Sequence, residues 1–127
     1  MAVELNHTVI AATDKQRSAK FLTDLLGLPE AQPFGPFLVV QTGNDVSLDF
    51  MDTEGDIRSQ HYAFLVSERE FDEIFGRIRE GGVDYWAGPG HQGPGEINTN
   101  DGGRGVYFDD PDGHVLEILT RPYGSGG

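Results

Sequence analysis

Hydrophobic positions recur with two different periods along the chain, and the order of those periods runs through twice. Phe21, Leu22, Leu25 and Leu26 follow helical spacing, and so do Phe71, Ile74, Phe75 and Ile78. Each helical stretch follows an apolar run, near residues 5–11 and 61–66, and precedes three extended segments. In the first half these segments are 31–34, 37–42 and 46–52; in the second they are 83–87, 104–108 and 114–120. Turn residues separate them, among them Pro36, Gly43, Asn44 and Asp45, and the run Pro111, Asp112, Gly113. The pattern predicts an α+β fold of paired βαβββ modules forming a curved, mostly antiparallel sheet. One domain covers residues 1–127, with modules at 1–56 and 57–122 and a flexible Gly/Ser-rich tail at 123–127.

A displacement of 54 residues lays one half over the other: His7 on His61, Thr13 on Ser67, Gln16 on Glu70, Phe21 on Phe75, Gly27 on Gly81. Thr13 with Gln16, and Ser67 with Glu70, predict capping boxes that satisfy orphan amides at helix starts. Gly27 and Gly81 predict left-handed helix ends, after helices of roughly 13 residues. The second half is longer because of residues 88–103, a Gly- and Pro-rich loop containing His91. Loops of that length in compact domains are lids, ligand loops or loose surface segments, and the glycines would permit hinge motion.

Strand alternation assigns faces. Leu5, His7, Val9 and Ala11 share one side, as do His61, Ala63 and Leu65, and Val115, Glu117 and Leu119. The intervening residues are also apolar. One face therefore lies under a helix, and the other curls around a cavity carrying His7, His61 and Glu117. Glu117 stands among Val115, Leu116, Ile118 and Leu119. An unpaired buried charge costs several kcal/mol, so an arginine, a hydrogen-bond network or a metal must compensate it.

Composition narrows the choice. The 127 residues contain no cysteine, so a metal would be held by His, Asp, Glu or backbone oxygen. A formal net charge of −12 weighs against nucleic acid and anionic membrane partners. No basic, apolar leader and no membrane-length apolar run is present, which predicts a soluble cytoplasmic protein. Two imidazoles and one carboxylate form a facial triad with open positions, favouring Fe(II) or Mn(II), with zinc or nickel as alternatives. Asp49, in VSLDFM on the closing strand of the first half, is a fourth ligand, a hydrogen-bond acceptor behind the ligands, or a solvent-facing residue.

Three stretches, LNHTVIAATD, HYAFLVSEREFDEIFGRI and above all GVYFDDPDGHVLEIL, resemble the vicinal oxygen chelate superfamily. That superfamily includes glyoxalase I, extradiol dioxygenases, fosfomycin-resistance transferases and bleomycin-resistance proteins. The resemblance implies a divalent metal on His7, His61 and Glu117, with Asp49 near the place of glyoxalase I's additional carboxylate. It also implies a homodimer in which each metal takes ligands from both chains.

The best-supported reading at this point is an extradiol-dioxygenase-like enzyme acting on a small, oxygen-rich aromatic molecule. Tyr107 stands ten residues before Glu117, as the tyrosine of extradiol enzymes precedes their glutamate ligand. Asn98, Thr99, Asn100 and Asp101 resemble the stretch those enzymes carry upstream, with its first histidine replaced. Tyr107 would then orient substrate, Asn98, Asn100, Arg104 and Trp86 would line the pocket, and His91 would serve as acid–base residue. A glyoxalase-I-like lyase or isomerase, resting on Asp49, is the first alternative. A fosfomycin transferase fits less well, because Val9 stands where a threonine is expected and few cations are near. An antibiotic-binding resistance protein without turnover would use Trp86, Tyr85, Tyr107, Phe50 and Tyr62 as an aromatic pocket.

Overall fold

The computed structural model describes residues 2–126. The chain divides into two compact units, one ending at Arg58 and the other beginning at Ser59. The first contains β1 (His7–Ala12), α1 (Lys15–Leu26), β2 (Gln32–Phe34), β3 (Phe37–Gln41) and β4 (Ser47–Asp52). The second contains β5 (His61–Leu65), α2 (Glu68–Glu80), β6 (Tyr85–Trp86), β7 (Gly105–Asp109) and β8 (Val115–Leu119), with a short 3-10 turn at Asn100–Gly102. The sheets run β1-β4-β3-β2 and β5-β8-β7-β6. In each, the first and last strands pair parallel and the other neighbours antiparallel, so the sheets are mixed and open at their edges. This is the paired βαβββ fold that the periodicity predicts.

One helix covers one side of each sheet. In the first unit, Ala19, Leu22 and Leu25 of α1 are buried together with Ile10, Val40, Leu48 and Phe50. In the second, Phe71, Ile74 and Ile78 of α2 are buried with Val106, Phe108, Leu116 and Ile118. Each fully buried large side chain contributes about 1.5–3 kcal/mol. The opposite face carries His7 and Val9 in the first unit, and His61, Ala63 and Leu65 in the second; all five are exposed.

The helix ends depart from their predicted form in two places. Ser67 and Glu70 make the capping box, but α1 starts one residue later than Thr13 would place it. Its N-cap is Asp14, whose carboxylate accepts from the Gln16 and Arg17 amides. A carboxylate accepts more strongly than a hydroxyl and suits the positive end of the helix dipole. Gly27 ends α1 with φ 68° as expected, whereas Gly81 stays right-handed and Gly82 takes the left-handed turn at φ 66°. Of the segment 123–127, residue 127 lies outside the described residues. Tyr123, its first residue, is anchored by two hydrogen bonds.

Candidate functional site

Glu117 is 2% exposed, in the middle of β8. Parallel pairing sets it beside Ala63, and antiparallel pairing sets it beside Tyr107. Side chains in register on neighbouring strands point to the same side, so Glu117 faces away from α2 together with Tyr107. His61 belongs to the same face. Its ring stacks on Tyr107 at 5.8 Å between centroids, and its Nε2 stands 3.1 Å from Glu117 Oε1.

The other imidazole nitrogen fixes what can lie between those two atoms. His61 Nδ1 is 3.0 Å from the carbonyl oxygen of Val115. A carbonyl only accepts, so Nδ1 carries a hydrogen. In the neutral ring, Nε2 then presents a lone pair to a carboxylate that presents lone pairs of its own. Two acceptors at this separation require a hydrogen on one of them, on Nε2 or on the carboxyl group, or a metal ion between or beside them. Ligand atoms about 2.1 Å from a common metal stand roughly 3.0–3.4 Å apart for right-angle to tetrahedral arrangements. The observed separation fits, and so does the donor chemistry: one imidazole held by a backbone carbonyl and one buried carboxylate.

Two tyrosines complete the answer to the buried charge. Tyr123 donates its hydroxyl hydrogen to Glu117 Oε1 at 2.5 Å, and Tyr107 stands 3.2 Å behind it, donating to Tyr123. Burial pushes the Tyr107 phenol above its ordinary value, partly offset by the bond to Tyr123. Burial also pushes Tyr123 up, reinforced by the Glu117 carboxylate. Among the described residues no arginine pairs with Glu117. Tyr123 was not among the residues predicted for the site; an aromatic side chain in an otherwise Gly/Ser-rich tail was its only signal.

The hairpin joining β7 to β8 explains the F-x-D-P-D-G stretch. Asp110 is buried, and its Oδ1 accepts the amides of Asp112 and His114, folding the turn around a Gly113 at φ 86°. That turn sets the register that places Glu117 opposite Tyr107.

The remaining predicted residues separate into two groups. His7 is exposed on β1, with Nδ1 2.7 Å from Asn6 Oδ1. Asp49 is buried on β4 and accepts a hydrogen bond from Ser47 at 3.0 Å, so it does not face solvent. Among the described residues no group of three or more His, Asp and Glu side chains is gathered closely enough to hold a metal. His61 and Glu117 form a pair, and His7 belongs to the other unit. Trp86 is stacked by the His91 ring at 3.9 Å. Asn98 uses both ends of its amide on backbone, donating to Ala87 and accepting from Asn100.

Arg104 is placed differently from the pocket-lining expectation. It shares the face of Val106 and Phe108, pairs with Glu68 and Asp72 at 2.8 and 2.9 Å, and lies over the Phe71 ring. Strand alternation puts it under α2, away from Glu117. The loop 88–103 also differs from a loose segment. Backbone bonds from Ala87 to Gly93, Gly88 to Gln92 and Gly95 to Tyr85 fold its first part back on β6, and Asn98 bridges Gly105.

Comparisons with known proteins place the chain in a family. A family model described as the Glyoxalase/Bleomycin resistance protein/Dioxygenase superfamily matches residues 4–118. The solved structure of Oxidase ChaP-H1 is 72% identical, with a TM-score of 0.95, covering 97% of this chain and 99% of its own. Oxidase ChaP-H2 is 65% identical with a TM-score of 0.97 over 100% of both chains. Glutathione transferase FosA of Serratia marcescens is 32% identical over 124 residues, 93% of this chain and 81% of its own length. The chain belongs to the Glyoxalase/Bleomycin resistance protein/Dioxygenase superfamily, the metal-dependent vicinal oxygen chelate family.

Proposed function

We propose that this protein is a divalent-metal-dependent oxidase that uses O2 to oxidise a small, oxygen-rich aromatic molecule. The carrying observation is the His61–Glu117 pair, an imidazole held by a backbone carbonyl beside a buried carboxylate at a separation that suits two ligands of one metal ion. The extent of identity to the two ChaP oxidases supports an O2-using reaction over the lyase and thiol-transfer alternatives. The acidic balance of −12 supports the same choice against an anionic substrate, and Arg104 is committed to Glu68 and Asp72.

His61 and Glu117 would hold Fe(II) or Mn(II), and His7 from the first unit would complete the set, in a homodimer whose two chains share ligands. Asp49 would act as an additional ligand or a nearby acceptor. Bound there, such an ion supplies open coordination positions for substrate oxygens and the capacity to exchange electrons with O2. Tyr107 would donate a hydrogen bond toward a substrate oxygen, and His91 would serve as acid–base residue.

Oxygen uptake is the test. Protein loaded anaerobically with Fe(II) or Mn(II) is mixed with a panel of vicinal and peri dihydroxy aromatics of increasing ring number. Metal-dependent oxygen consumption with an oxidised product supports the reading, and the product distinguishes ring cleavage from other oxidation. Turnover confined to a hemithioacetal, or to fosfomycin with a thiol, would replace it.

A further inference from the structure

Across the second sheet, Trp86 pairs with Tyr107 and Tyr107 pairs with Glu117. The next row is Asp109, Val115 and His61. Registered neighbours share a side, so both rows lie on the face that carries His61 and Glu117. The loop returns over the far end of that face. The His91 ring stacks on Trp86 at 3.9 Å and 18° between planes, and its Nε2 stands 2.9 Å from Asp109 Oδ2. His91 therefore spans both rows at the β6–β7 end, opposite the His61–Glu117 end. Two strand spacings separate the ends, about 10 Å.

The pair sets the tautomer. A carboxylate accepts, so Nε2 carries the hydrogen and Nδ1 of the neutral ring carries the lone pair. Nδ1 makes no hydrogen bond among the described residues, and the side chain is about half exposed. His91 also has φ 62°, uncommon outside glycine, a conformation costing on the order of 1 kcal/mol that surrounding contacts must hold. The Trp86 stack, the Asp109 bond and the crossing backbone bonds on either side of the tip do so.

We propose that Asp109 is a positioning residue that fixes His91 with Nδ1 as the proton acceptor for a hydroxyl at the far end of a flat, fused-ring phenolic substrate. This deepens the oxidase reading and rests on it for the location of the substrate's other end. In the step itself, the phenolic O–H bond breaks, its electron pair stays on oxygen, and the proton bonds to Nδ1. The resulting imidazolium is held by Asp109, which remains ionised. The substrate class follows: vicinal or peri oxygens at one end, and a second hydroxyl across at least one further ring.

Two measurements test this without relying on turnover. Nitrogen-15 NMR of the imidazoles is expected to show His91 with hydrogen on Nε2, and Asp109→Asn is expected to shift it toward hydrogen on Nδ1. In anaerobic titrations of Mn(II)-loaded protein, quinalizarin, with hydroxyls at both ends, should bind roughly tenfold tighter than alizarin, which has them at one. Asp109→Asn and His91→Gln should each erase that preference while metal content stays unchanged. An unaltered tautomer in Asp109→Asn, or equal binding of the two dyes to the wild type, would overturn the proposal. If both expected results appear and no aromatic supports oxygen uptake, the positioning role is supported and only the oxidase reading falls.

Discussion

The two units share a frame and differ in what they place on it. Val9 pairs with Asp49 as Ala63 pairs with Glu117, so Asp49 is the counterpart of Glu117, just as His7 is that of His61. Val39 pairs with Asp49 where Tyr107 pairs with Glu117. Thus the first unit sets a valine and a shorter acid where the second sets a tyrosine and a longer acid. Glu117 reaches His61, whereas Asp49 is bonded to Ser47 and His7 to Asn6. The connection between the middle strands diverges too: Gly35 and Pro36 in the first unit, residues 87–104 with His91 in the second. Duplication accounts for the core and for the two histidines. The His61–Glu117 pair and the tyrosines bonded to it come from divergence on one face of one unit.

Replacing the two matching acids should expose that divergence most strongly. Glu117→Ala is expected to lower metal-dependent oxygen uptake by at least about a hundredfold, and Asp49→Ala by about tenfold, the range seen when a group beside the ligands is removed. Equal losses would make the units equivalent partners in the site. Tyr123→Phe removes one donor from the buried carboxylate and should destabilise the metal-free protein by about 1–3 kcal/mol. The loss should shrink on metal loading, as read by thermal melts with and without Mn(II), because the cation then compensates Glu117.

The clasp between helix and sheet offers a smaller test. In the first unit Lys15 of the helix reaches the carbonyl of Pro36; in the second, Arg104 of the sheet reaches Glu68 of the helix. Arg104→Ala should cost about 1 kcal/mol, largely through the contact with the Phe71 ring, and leave oxygen uptake unchanged. A large loss of activity would return Arg104 to the pocket. The smallest effect concerns acid. Hydrogen bonds from Thr120 and Arg104 hold Glu68 below its ordinary value of 4.5, and those from Ser67 hold Glu70 below the same value. Lowered carboxylates stabilise fully above the ordinary value, and the contribution is lost as pH falls through the depressed one. Glu70→Gln, matching Gln16 of the first unit, should keep the cap and flatten part of the acid limb of a pH–melting curve.

Much of this was legible in the sequence because it depends on local period. Helical spacing, the turn signals and the 54-residue repeat are properties of short stretches, and they located both histidines and the buried acid. Parity along β7 also carried a readable signal: Arg104 is in phase with Val106 and Phe108, which lie under α2. What could not be read depends on tertiary closure. Asp109 and His91 are 18 residues apart and meet only because the loop folds back on β6. Tyr123 reaches Glu117 from a tail whose composition signals flexibility. The start of α1 turned on a competition between adjacent caps, Thr13 and Asp14, that spacing alone does not decide.

The central claim is that the His61–Glu117 pair holds a divalent metal. Anaerobic calorimetric titration of chelator-treated protein with Mn(II), for the wild type and Glu117→Ala, tests it most directly. The account predicts saturation near one ion per chain in the wild type, with protons released on binding, and at least a hundredfold weaker binding in the variant. Equal affinity in the two proteins would contradict it.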